Sequence, residues 1–108
     1  MDVSSDLIRG HIDTMLLGFL KSGDKYGYEM GKMVAQKSGG RYELKEPSMY
    51  STIRRLEAQG LIEAYWGDET QGARRRYYRI TPKGTAVHAQ NLKNWAYAKS
   101  VIDQLLEV

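Results

Sequence analysis

Arginine side chains are the densest chemical feature of this sequence. Four of the sixteen basic residues fall between Arg74 and Arg79, and two more, Arg54 and Arg55, stand side by side earlier in the chain. A guanidinium group is planar and permanently charged, and it binds a phosphate or the edge of a guanine through two parallel hydrogen bonds. The arginines therefore predict a polyanionic partner. The alternative is a charged surface that keeps a strand edge from aggregating.

Side chains suited to covalent or metal chemistry are sparse. The two histidines, His11 and His88, fall on different predicted helices, and a metal site needs more ligands at defined spacing. Cysteine is absent, which excludes disulfides and thiolate chemistry. No serine or threonine has the context of a nucleophile, and no glycine-rich phosphate loop follows a strand. We therefore expect no catalytic residue, no metal and no cofactor.

The bulk properties are those of one small domain. The chain has 108 residues and a net charge of +3, which by itself only weakly suggests a polyanionic partner. No apolar run approaches the ~18 residues needed to cross a bilayer, and the N-terminus lacks the pattern of a signal peptide. We expect a cytoplasmic protein that does not associate with membranes.

Two helices are predicted in the first part of the chain. Apolar side chains recur at three-to-four spacing from Ser5 to Ser22, and Gly23 is a natural stop. The predicted buried face of this helix consists of Leu7, Ile8, His11, Ile12, Met15, Leu16, Phe19 and Leu20. A second helix is predicted for Gly27–Lys37. Residues 42–44 alternate as in a short extended segment.

A third helix and a hairpin follow. Pro47 opens a helix that runs to Gln59, with apolar side chains on one side and polar ones on the other. The apolar side contains Met49, Ile53 and Leu56, and the polar side contains Ser48, Ser51, Arg54 and Arg55. Strands are predicted at 61–66 and 77–80, joined by a turn at 67–73. Tyr77 and Tyr78 point to opposite faces, so at most one belongs to the core, and Trp66 is expected to pack within the hairpin.

A helix followed at once by a basic-tipped hairpin is typical of a winged helix-turn-helix, in which the helix enters the major groove and the hairpin approaches phosphates or the minor groove. We therefore predict binding to a double-stranded DNA operator. The predicted DNA contacts are Ser48, Tyr50, Ser51, Arg54, Arg55, Arg74, Arg75 and Arg76. Because the net charge is small, a protein-interaction or ligand-binding module with little DNA affinity is the alternative.

The last predicted helix begins after Thr81 and reaches about Glu107. Roughly 25 residues span about 37 Å, longer than a domain of this size is wide. Its apolar side contains Leu92, Trp95, Ile102, Leu105 and Leu106. Homodimerisation is the simplest way to bury this stripe, and solvent exposure or packing back onto the domain is the alternative. The predicted fold class is α+β, mostly α, with a winged helix-turn-helix at 1–81 and a dimerisation helix at 82–108 in one structural domain.

These motifs resemble those of the PadR-type transcriptional regulators. The matching segments are Pro47–Tyr50, Arg55–Glu57, Gly60–Ile62, Arg74–Thr81 and Gly84. Residues 65–72 and Asn94-Trp95 are most similar to the short, multidrug-sensing members. Met49 stands where leucine is usual, and Ala73 stands where many members have proline, which would make the tip of the hairpin less rigid.

The resemblance implies a dimeric repressor, often of its own gene or of a neighbouring transporter gene. It also implies that Trp95 lies at the dimer interface beside a pore for flat aromatic compounds. From the residue alone, stacking on a ligand and plain interface packing remain open. Met15, Leu16 and Phe19, or Asp13 as a polar contact, are expected to line the same cavity, and a small aromatic or hydrophobic ligand is expected to weaken operator binding.

Overall fold

The computed structural model describes residues 1–67 and 74–108. The helices are α1 (Ser5–Ile8), α2 (Ile12–Lys21), α3 (Gly27–Lys37), α4 (Glu46–Ala58) and α5 (Pro82–Leu106). The strands are β1 (Lys25–Tyr26), β2 (Ile62–Trp66) and β3 (Arg76–Ile80). The predicted turn at 67–73 lies outside the described residues except for Gly67, and the substitution at Ala73 lies outside them entirely. No helix in the described ranges is long and apolar enough to span a bilayer.

The core forms where α2, α3 and α4 meet the sheet. The spacing of apolar residues puts Leu16, Met30 and Leu56 on facing helix surfaces, and each is fully buried. Met49 and Ile53 join them, as predicted for the apolar side of α4, and only 2% of Met49 is exposed. A methionine fits this site without disturbing the core because its flexible side chain fills irregular space.

The first helical segment is broken, whereas one continuous helix was predicted. Arg9–His11 form a single 3₁₀ turn between α1 and α2. Gly10 lies in this turn, and glycine lowers the stability of an α-helix interior. As a result α1 does not follow the core surface, and Leu7, predicted to be buried, is 75% exposed. From Ile12 onwards the predicted face is correct, and Leu17 is buried beside it.

The sheet has three antiparallel strands in the order β1-β3-β2. In the central strand, Tyr78 lies opposite Ala64 on one side and Lys25 on the other. Tyr78 is buried, which raises the pKa of its hydroxyl, while Tyr77 is half-buried, as their opposite directions predicted. Residues 42–44, predicted to form a short extended segment, form neither a helix nor a paired strand. The burial of Tyr42 and Leu44 alternates with the exposure of Glu43, as predicted.

Helix α5 is fixed to the sheet at its first turn. The Thr81 hydroxyl accepts a hydrogen bond from the Gly84 backbone N–H at 3.0 Å, and the Thr81 N–H donates to the Leu61 carbonyl at 3.1 Å. A Cβ on Gly84 would lie 2.1 Å from that carbonyl oxygen, so only glycine fits this approach. Beyond the first turns α5 loses its cover, and Leu105 is 77% exposed.

Candidate nucleic-acid interface

The outer face of α4 carries polar side chains, as predicted. Ser48, Ser51, Arg54 and Arg55 are all exposed, on the side opposite the buried Ile53. Lys45 provides the N-cap and Pro47 lies in the first turn, so the hydroxyls of Ser48 and Ser51 come near the helix N-terminus. Small hydroxyl side chains at this end of a helix allow a close approach to base edges.

Tyr50, which was predicted to contact DNA, contacts the start of α3. It is half-buried, and its ring packs over the backbone of Gly27, where a Cβ would come 2.5 Å from the Tyr50 hydroxyl oxygen. Tyr50 therefore joins α4 to the start of α3. The sequence pattern could not show this, because the contact depends on how two helices cross.

The Arg55 side chain binds to Asp13 of α2. Its Nη1 and Nη2 donate to Oδ2 and Oδ1 of Asp13 at 2.6 and 2.7 Å, and this pairing raises the pKa of Arg55. Asp13 was predicted to contact a ligand and Arg55 to contact DNA, but the two side chains bind each other. Nothing in the sequence brings these distant positions together.

The hairpin arginines are held by aromatic rings. The Arg75 guanidinium lies 4.6 Å from the ring centre of Tyr26, while those of Arg74 and Arg76 lie 5.8 Å from Trp66. Trp66 is 54% exposed, so it packs under these two arginines and not in the core. An aromatic ring orients a guanidinium and itself brings no opposing charge.

Two arginines of the hairpin, Arg76 and Arg79, lie close to carboxylates. Arg76 Nη2 also pairs with Glu57 at 3.2 Å, and Arg79 Nε lies 3.6 Å from Asp24. The Tyr65 hydroxyl donates to the same Asp24 carboxylate at 2.5 Å, which raises the pKa of Tyr65. Arg79 therefore belongs to an ion pair beside β1, while Arg74 and Arg75 lie exposed at the end of the hairpin, beside Trp66 and Tyr26.

The start of α3 adds aromatic and basic side chains next to the hairpin, and the sequence pattern did not predict this. Tyr28 is 59% exposed, and Lys32 Nζ lies 5.5 Å from the centre of its ring. The Tyr28 ring is stacked 6.5 Å from that of Tyr26, which supports Arg75. This end of α3 therefore continues the basic surface of the hairpin. The available signal was a pair of tyrosines at a helix start, with a lysine one turn later.

A cavity of about 580 Å³ lies on the side of α2 that faces α5 and α3. Its lining includes Met15, Phe19, Met33, Lys37, His88, Leu92 and Trp95. Met15, Phe19 and Trp95 were predicted to share a cavity, and the structure brings them together here. Leu16 is instead buried in the core, and Asp13 borders a separate recess that also contains Trp95. The Trp95 ring meets His11 edge-on at 4.5 Å.

His88 is a buried polar residue in the wall of this cavity. Only 8% of it is exposed, and its Nδ1 has no hydrogen-bond partner among the described residues. The imidazole packs against Gly18, where a Cβ would come 3.0 Å from Nε2. Burial, with a smaller contribution from Lys21, lowers the pKa of His88. In the described part of the chain, no group of three or more acidic or histidine side chains is arranged to hold a metal ion.

The lowered pKa predicts a loss of stability in acid. Below about pH 6.5 the unfolded chain binds a proton at this position that the folded chain resists, so unfolding becomes more favourable as the pH falls. We expect His88→Met to flatten the fall in the free energy of unfolding between pH 7.5 and 5.5, measured by urea denaturation. His11→Met is the control for losing a histidine from the same cavity. An unchanged pH profile in His88→Met would contradict this reading.

Comparison with known proteins agrees with this geometry. The model of the transcriptional regulator PadR-like family matches residues 16–90. A protein of Lysinibacillus sphaericus, called Uncharacterized protein X, is 40% identical over 105 residues, covering 97% of this chain and 96% of that one. The structure of a transcriptional regulator from Clostridium thermocellum is 45% identical with a TM-score of 0.88, covering 94% of this chain and 96% of that one. A PadR family transcription regulator from Clostridium difficile is 34% identical with a TM-score of 0.79, covering 89% and 98%.

These similarities confirm the predicted mostly helical winged-helix fold and the predicted family. Proteins of this family regulate transcription and are not enzymes, in agreement with the expectation that the chain has no catalytic site. On the evidence of the family match and of the two solved structures, the chain belongs to the PadR-like family of transcriptional regulators.

Proposed function

We propose that this regulator is a homodimeric repressor whose α4 enters the major groove of a roughly palindromic operator. Ser48 and Ser51 would approach base edges, and Arg54 would bind a guanine through two hydrogen bonds. Arg74 and Arg75 would bind phosphates of the DNA backbone beside the groove. The observation that carries the proposal is the exposed polar face of α4 beside a hairpin whose guanidinium groups are stacked on Trp66 and Tyr26.

The proposal is tested by binding to duplex DNA at several salt concentrations. A regulator that binds through phosphates weakens steeply as salt rises, because bound counterions are released on association. A module with little DNA affinity shows no such dependence. Selection of bound fragments from the source genome would then identify the operator, and repression would be measured with a reporter placed behind it.

The dimer is proposed from the uncovered half of α5. Leu92, Ile102 and Leu105 are 49%, 46% and 77% exposed, although each is apolar and they recur along one side of the helix. A second copy packed on this side would remove them from water and place the two α4 helices about one DNA turn, ~34 Å, apart. Sedimentation should show dimers for the parent and monomers for Ile102→Glu. Tyr97→Glu, on the other side of α5, is the control that should stay dimeric.

The ligand proposal is that a planar aromatic compound binds beside Trp95 and weakens operator binding. Trp95 is 43% exposed, and the adjoining cavity contains Met15 and Phe19, so an aromatic body has both a flat surface and apolar walls. A ligand that fits the free dimer better than the DNA-bound one shifts the population away from DNA. Asp13 is a weaker candidate for a polar contact, because Arg55 already occupies its carboxylate.

Acridine binding should therefore quench the fluorescence of Trp95. In the Trp66→Phe variant, Trp95 is the only tryptophan, and we expect acridine to quench its fluorescence because the two rings stack. In the matched Trp95→Phe variant, the remaining Trp66 reports from the hairpin, and its emission should not change. Quenching of equal depth in both variants would contradict stacking at Trp95.

A further inference from the structure

The ion pair between Asp13 and Arg55 has the geometry of a specific contact. The two hydrogen bonds are parallel and short, 2.6 and 2.7 Å, and they join both carboxylate oxygens to both terminal nitrogens of the guanidinium. Such a two-pronged arrangement is stronger and more directional than a single bond between the same groups. The Arg55 and Asp13 side chains are 49% and 32% exposed, so water screens the pair only in part.

The ion pair gives Arg55 a different environment from that of its neighbour Arg54 on α4. Successive residues of an α-helix point about 100° apart, so Arg54 and Arg55 cannot face the same way. Arg55 is bound to α2 through Asp13, whereas no side-chain hydrogen bond or ion pair joins Arg54 to another residue of the described ranges. The exposed surface of α4 therefore offers the Arg54 guanidinium to a partner while α2 holds that of Arg55.

We propose that Asp13 is a positioning residue for DNA recognition, which holds Arg55 away from the phosphates so that α4 binds DNA through Arg54 and the two serines. This inference rests on the proposed DNA-binding surface. A phosphate contact strengthens binding to every sequence alike, whereas base contacts distinguish one sequence from another. Keeping one arginine from the phosphates therefore lowers affinity for random DNA and preserves selectivity for the operator.

The test is the salt dependence of binding to a random-sequence duplex, followed by fluorescence anisotropy. Asp13→Asn releases Arg55, and we expect the slope of log K against log salt to steepen by about one, with roughly tenfold tighter binding at about 0.1 M salt. Asp13→Glu keeps a carboxylate and should retain the parent slope. The double variant Asp13→Asn/Arg55→Ala should return to it. If the Asp13→Asn protein is folded and its slope equals that of the parent, the inference is overturned.

Asp6→Asn is the matched control. Asp6 of α1 pairs with Arg9 at 2.9 Å, so its replacement makes the same change in net charge and leaves the pair of Asp13 and Arg55 intact. We expect its slope to equal that of the parent. Equal steepening in Asp6→Asn and Asp13→Asn would mean that net charge alone acts, and the positioning role would be rejected.

A second pair of variants does not depend on how Asp13→Asn folds. If Arg55 is withheld, Arg55→Gln should keep the parent slope, while Arg54→Gln should lose affinity for the operator. A loss of equal size in both would overturn the inference. If instead neither Arg54→Gln nor the removal of Arg74 and Arg75 weakens DNA binding, the fault lies with the proposed DNA surface and not with the role of Asp13.

Discussion

Gly84→Ala is expected to lower the free energy of unfolding by at least about 3 kcal/mol, near the upper end of what overpacking costs. The added Cβ would lie 2.1 Å from the Leu61 carbonyl oxygen and 2.8 Å from Cγ1 of Ile80. The carbonyl cannot turn aside without losing the hydrogen bonds it accepts from the Thr81 N–H and hydroxyl, both at 3.1 Å. Helix α5 must therefore move off the sheet. Urea denaturation followed by circular dichroism at a fixed protein concentration measures the loss.

Gly31→Ala is the control for this substitution. Gly31 lies inside α3, and among the described residues a Cβ there would meet the Met49 sulfur alone, at an ordinary contact distance of 3.8 Å. Alanine stabilises a helix interior relative to glycine by about 0.8–1.0 kcal/mol, so this variant should be more stable than the parent. Equal effects of the two alanines would show that the approach of α5 to Leu61 is looser than described.

The second large effect is expected at the hairpin. Arg74→Ala/Arg75→Ala should weaken DNA binding on the order of 10²-fold at about 0.1 M salt, because two phosphate contacts are lost. The slope of log K against log salt should fall by about two in the same measurement. Arg76→Ala should cost less, because Glu57 already takes up part of its charge.

Lys93→Ala/Lys99→Ala is the matched control for the hairpin variant. It removes the same charge from α5, where Lys99 pairs with Asp103 at 2.8 Å. The slope should stay near that of the parent, since these lysines lie outside the proposed DNA surface. A similar fall in both double variants would mean that total charge, and not the hairpin, governs binding.

Much of the fold was predictable because its signals are local. The bounds of α3 and the buried and exposed sides of α4 follow from helical spacing and from flanking glycine and proline. Strand β1 could not be predicted, because two residues carry no periodic pattern and Lys25–Tyr26 form a strand only by pairing with β3. The break at Arg9–His11 was missed because the apolar spacing continues through it.

The candidate site was predictable in composition but not in detail. The arginines at 54, 55 and 74–76 were selected from their type and position, but the carboxylates that bind Arg55 and Arg76 lie far away in the chain. Asp13 binds Arg55 and Glu57 binds Arg76, and no spacing rule links these residues. Tyr50 was assigned to the groove side of α4, and only the packing of α3 shows that it lies against Gly27.

The contact between Gly18 and His88 limits how this chain can diverge. A Cβ at position 18 would lie 3.0 Å from the imidazole Nε2, so the ring would have to shift, while a smaller residue at position 88 would leave space above the glycine. Substitutions at the two positions should therefore compensate one another. Natural variants with a larger residue at position 18 ought to carry a smaller one at position 88.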